Sequence, residues 1–79
     1  MTLIRSASDL GPALRAARKR LHLTQSELAM AAGCGLRFIV EAEAGKPTLR
    51  LDTLLRVIDA VGGRLVLQGL NTEEHHDDA

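Results

Sequence analysis

Apolar residues recur along this chain at helical rather than strand spacing. Leu10, Leu14, Ala17 and Leu21 fall at i, i+4, i+7 and i+11, a stripe that predicts a helix ending near Leu21. Ser8 or Asp9 is placed to cap its start, and Pro12 fits a first turn, where a missing N–H costs little. Arg15, Lys19 and Arg20 lie off the stripe, and cations in a last turn suit the helix dipole. Leu28, Ala29 and Ala32 repeat the helical spacing. Thr24 and Glu27 give that segment the T-x-x-E capping box, and Gly33 supplies a left-handed residue to close it. A third helix is predicted from about Leu36 to Ala44, opened by Gly35 and closed by Gly45. At about 100° per residue, Ile39 and Ala42 mark its buried side. Phe38, the sole aromatic residue, is expected to pack on neighbouring helices.

Pro47 pushes Lys46 out of helical geometry, so residues 46–50 form a loop. Leu54, Leu55, Val57, Ile58 and Val61 fill a fourth helix from about Leu51 to Val61. They are more than one face needs, which predicts burial on two sides. Gly62 and Gly63 break it. Arg64, Leu65, Val66, Leu67 and Gln68 then read as a strand, while Thr2, Leu3 and Ile4 belong to an arm at most. A lone strand cannot satisfy its own backbone groups, and its natural mate is the same strand of a second copy. The expectation is an all-α domain of four to five helices with a short C-terminal β-strand pairing across a homodimer. It spans residues 9–68, between an N-terminal arm (1–8) and a disordered acidic tail (69–79).

Length and composition sharpen this. A chain of 79 residues buries only about 60–65% of its unfolded surface, so its core needs a staple or a partner. The single cysteine, Cys34, excludes an internal disulfide and reads as a small apolar filler. Residues 1–10 lack the apolar core of a signal peptide, and no apolar run is long enough for a bilayer. The expected location is therefore a reducing cytoplasm. The formal charge is zero but segregated. Residues 1–50 hold eight Lys/Arg against four Asp/Glu, a net of +4, and residues 51–79 hold two against six, a net of −4. The basic half carries the two short helices. His22 reads as a surface connector. The tail stretch Glu73–Asp78 is acidic and His-containing, but has no fold around it to make a metal site. No nucleophile–base pair, Gly-rich phosphate loop or inward carboxylate pair can be proposed, so neither an enzyme nor a cofactor is expected.

Two short helices joined by a tight turn have the geometry that sets the second helix into a DNA major groove. Gln25 and Ser26 then sit exposed at a helix N-terminus, where free N–H groups favour a phosphate. Leu36, Arg37, Val40 and Glu41 project away from the buried side of the third helix, where Arg37 can take a guanine bidentately and the apolar groups can meet thymine methyls. Thr48 follows in the loop as a DNA-facing candidate. Packing of Leu36 on a neighbouring helix is the alternative.

The stretch Leu23-Thr-Gln-Ser-Glu-Leu-Ala29, with Gly33, Ile39, Glu43-Ala-Gly-Lys46, Leu54 and Ala60-Val-Gly62, resembles the helix-turn-helix of the Xre/Cro family of phage and bacterial repressors. Over residues 23–67, terminal strand included, the chain is similar to HipB-type antitoxins. The resemblance covers roughly residues 9–68 and implies a lambda-repressor-like fold. It further implies a dimer bound to double-stranded DNA at a palindromic operator, autoregulation of its operon, and a HipA-like Ser/Thr kinase toxin as partner. By the resemblance Gln25 would contact the backbone, Gly35, Leu36, Arg37 and Val40 would face bases, and Lys46 would lie near the backbone. Arg18 and Glu43 would form an internal ion pair. Gly35, Leu36 and Val40 stand where the family often has Gln, Lys or Ser, so the operator sequence does not transfer. Two alternatives remain: a module that neutralises a toxin without specific DNA binding, and a free-standing repressor.

Overall fold

The computed structural model describes residues 1–69. Four helices follow one another: α1 (Ala7–Arg20), α2 (Gln25–Ala32), α3 (Leu36–Glu43) and α4 (Leu51–Ala60). Among the described residues no helix is long and apolar enough to cross a membrane.

Helix α1 starts earlier than the sequence pattern implies. Its N-cap is Ser6, not Ser8 or Asp9, and the Ser6 hydroxyl accepts from the Asp9 N–H at 3.4 Å. Pro12 therefore falls in the second turn, and Ser8 loses the N–H that its carbonyl would have accepted from; both residues are exposed. The stripe on α1 also differs. Its buried residues are Gly11, Leu14 and Arg18, while Leu21 is the C-cap and is exposed. Two of the three inward positions are thus a glycine and an arginine, which an apolar-spacing rule passes over.

Leu14, Leu28, Ala29, Ala32, Ile39, Ala42 and Val57 make the core, with Phe38 packed against it as expected. α3 packs on both α1 and α2, and α4 packs on α2. The α1–α3 contact is close because Gly11 has no side chain: a Cβ there would lie 2.4 Å from the Glu43 carbonyl oxygen.

All four helices end alike. In each, one N–H just past the helix bonds back to the carbonyl five residues earlier (Leu23 to Arg18, Cys34 to Ala29, Lys46 to Glu41, Gly63 to Ile58), and the N–H before it closes a tighter loop. This is the Schellman motif, which requires a left-handed residue at its centre. Gly33, Gly45 and Gly62 supply three; His22, at φ 59°, supplies the fourth.

Two expectations about the C-terminal half are corrected. Only Val57 of α4 is fully buried; Leu54, Ile58 and Val61 are half-buried and Leu51 and Leu55 exposed, so the second apolar side is open in the single chain. No strand forms among the described residues. Arg64–Gln68 has no regular structure, because no second strand of this chain lies beside it to complete a ladder. Leu65, Val66 and Leu67 are exposed, and this segment flanks an apolar cleft with Met1–Ser6, Leu10, Leu54, Ile58 and Val61. The tail expected to be disordered, and its Glu73–Asp78 stretch, lie outside the described residues apart from Gly69.

Candidate nucleic-acid interface

The capping box at the start of α2 is complete. Thr24 Oγ1 accepts from the Glu27 N–H at 3.0 Å, and Glu27 Oε1 accepts from the Thr24 N–H at 2.8 Å. The N–H groups of Gln25 and Ser26 remain without intrahelical partners, as the first turn of any helix leaves them. Ser26 is exposed; Gln25 is not simply so. Its half-buried amide donates to Glu43 Oε1 at 3.1 Å, which ties the start of α2 to the end of α3.

Glu43 is also the partner of Arg18. Arg18 Nε donates to Oε2 at 2.6 Å and Nη2 to Oε1 at 3.0 Å, while Nη1 donates to the Leu23 carbonyl at 2.7 Å. The two side chains are 9% and 5% exposed. Burial pushes the Glu43 carboxyl upward, but the hydrogen bonds from Arg18 and Gln25 outweigh it and hold it below the ordinary value. The carboxylate thereby ties α3 to α1 and to the N-terminus of α2, while Arg18 holds the connector at Leu23.

Helix α3 presents its other side to solvent. Leu36 is 46% and Val40 44% exposed, and the Arg37 side chain is almost fully out. Gly35 caps the helix without a side-chain hydrogen bond, so the first N–H groups of α3 receive none from it. Glu41, on the same exposed side, accepts from Arg37 Nε at 3.2 Å and from Lys46 Nζ at 3.3 Å. Those two cations keep its carboxyl ionised below the usual range, Lys46 the more strongly. Thr48 is exposed in the loop beyond.

Two contributors escape a reading based on α2 and α3 alone. Arg15 and Lys19 of α1 line a shallow depression with Thr24, Gln25 and Val40, which adds two cations beside the α2 N-terminus. Their i, i+4 spacing was visible, but not the direction in which α1 would present them. Arg56 of α4 is the other. Its Nε donates to the Ala32 carbonyl at 3.1 Å and Nη2 reaches the Gly33 carbonyl at 3.5 Å, so α4 holds the turn from which α3 departs. Cys34 lies in that turn, and burial raises its thiol above the ordinary value despite Arg56 nearby.

Comparison with known proteins agrees with this geometry. Residues 14–67 match the helix-turn-helix family HTH_3. An uncharacterised HTH-type transcriptional regulator, y4mF, of Sinorhizobium fredii is 48% identical over 59 residues, covering 75% of this chain and 78% of that protein. The HipA–HipB–O2–O3 complex contains a chain superposing with a TM-score of 0.79 at 24% identity, covering 90% of this chain and all of that one. The clp gene regulator ClgR of C. glutamicum superposes with a TM-score of 0.67 at 30% identity, covering 75% and 76%.

Proposed function

The chain belongs to the helix-turn-helix family, one of transcriptional regulators rather than enzymes, and on that premise we propose that it is a homodimeric, sequence-specific repressor serving as antitoxin of a toxin–antitoxin pair. The observation that carries DNA binding is the shared surface on which Arg15 and Lys19 of α1, Gln25 of α2 and Val40 of α3 meet. Cations and helix N–H groups bracket the exposed α3, so phosphates are held on its flank while Leu36, Arg37 and Val40 enter the groove. Gly35 allows close approach of the backbone.

Dimerisation is supported by what the single chain leaves uncovered. Leu51, Leu55 and the Leu65–Leu67 segment are exposed apolar surface, and residues 64–68 carry backbone groups without a ladder. Antiparallel pairing of 64–68 with a second copy meets both needs. Two recognition helices would then reach half-sites about 34 Å apart. The fold shared with a HipA–HipB assembly supports a HipA-like Ser/Thr kinase as the toxin.

Selection of duplexes from a random library tests the DNA reading: a two-fold symmetric site should be enriched and should resist scrambled competitor. Enrichment of nothing above background overturns it. Sedimentation of the chain ending at Gly63 tests pairing, which predicts monomers where the full chain gives dimers. The zero net charge and apolar Leu36 and Val40 favour one second reading, a toxin-neutralising module. It predicts capture of the kinase without any selected DNA.

A further inference from the structure

The exposed side of α3 carries an acid between its two cations. Glu41 takes Arg37 through Nε alone, so Nη1 and Nη2 make no hydrogen bond among the described residues. Its other oxygen takes Lys46. An exposed pair of this kind contributes little to stability, and an acid C-terminal to its cation at i, i+4 is the weaker orientation on a helix. Helix stability therefore does not account for the arrangement.

Its geometry has a different consequence. Fixing a guanidinium by Nε leaves its terminal edge, two parallel N–H donors, facing outward. That edge is what a guanine O6/N7 pair accepts from. A free arginine would have to freeze several rotatable bonds to present the same edge. The carboxylate also lowers the charge of the exposed α3 surface: Arg37, Glu41 and Lys46 together carry +1 rather than +2. Phosphates attract that surface less, whatever the sequence.

We propose that Glu41 is a specificity-determining residue, positioning Arg37 for a guanine while restraining sequence-independent binding by Arg37 and Lys46. This rests on the DNA-binding reading above. The two effects add. Positioning favours the correct site, and the negative charge disfavours all others.

The test uses the full chain, the duplex it enriches from a random library and a scrambled duplex of equal composition. Glu41→Gln removes the charge. It should raise affinity for the scrambled duplex about tenfold near 0.1 M salt and steepen the salt dependence by about one counterion. Affinity for the enriched duplex should stay level or fall, with preference relaxed at one base pair. Glu41→Asp keeps the charge but shortens the reach to Arg37. It should leave scrambled binding low and weaken the enriched duplex. Equal changes on both duplexes for Glu41→Gln overturn the proposal. So does a fall on the enriched duplex with scrambled binding and salt dependence unchanged, since the carboxylate would then touch a base itself. A wild-type chain that enriches nothing removes the DNA-binding reading, and the proposal with it.

Discussion

Arg18 and Glu43, 25 positions apart in sequence, are joined by two hydrogen bonds of 2.6 and 3.0 Å in a nearly solvent-free contact. Each would be costly to bury alone, and each is made tolerable by the other and by the Leu23 carbonyl and Gln25 amide beside them. Removing one partner should therefore cost more than removing both. Arg18→Met and Glu43→Leu are each expected to destabilise by about 3–5 kcal/mol, and the double substitution by markedly less. Chemical denaturation of the four proteins checks this, and additive losses would show that the pair is not a unit.

The same contact sets a pH dependence. The folded Glu43 carboxyl lies below the unfolded value of 4.5, so folding favours its ionised form. Its contribution is then complete above 4.5 and is lost as pH falls through the folded value. Glu41 and Asp52 are lowered in the same sense by Lys46, Arg37 and Arg50, but solvent screens them. Melting temperatures of wild type and Glu43→Gln should differ widely at neutral pH and converge in acid. A gap independent of pH would assign the acid sensitivity elsewhere.

Gly11→Ala isolates the α1–α3 approach. Alanine is the better helix former by about 1 kcal/mol, yet its Cβ would lie 2.4 Å from a backbone oxygen of Glu43. A backbone oxygen cannot turn away as a side chain can, so α3 itself must shift, and a net loss of about 1–3 kcal/mol with weaker DNA binding is expected. A more stable variant would show that the helices separate freely.

His22→Gly should act in the other direction. The left-handed conformation at φ 59° costs a residue with a Cβ about 1–2 kcal/mol, and part of that gain returns as unfolded-state entropy. The expected result is a stabilisation of about 0.5–1 kcal/mol in the denaturation midpoint. No change would mean that the imidazole compensates within the turn.

Arg37 and Gln25 are expected to separate base reading from phosphate holding. Arg37→Ala should cost about 1–3 kcal/mol on the selected site and relax one position. Gln25→Ala should weaken selected and scrambled duplexes alike, because on the proposed reading the start of α2, which its amide ties to Glu43, holds a phosphate. Titration of both duplexes distinguishes them, and equal losses for Arg37→Ala would place Arg37 on the backbone.

The sequence by itself determined the local elements, since their causes are local. The Thr24–Glu27 box, the helix-ending glycines at 33, 45 and 62, and the inward Ile39 and Ala42 were all readable within a turn or two of chain. Tertiary structure decided what those elements do to one another. Gly11 is inward on α1 because α3 closes over it, and Arg56 reaches Ala32 because α4 packs on α2, whereas the Arg18–Glu43 pair was already implied by the family resemblance. No spacing rule contains such information: packing partners distant in sequence meet only when the chain is folded. The same reason governs residues 64–68. Their strand-like pattern was legible, but a ladder needs a second strand alongside, and the described chain places none there.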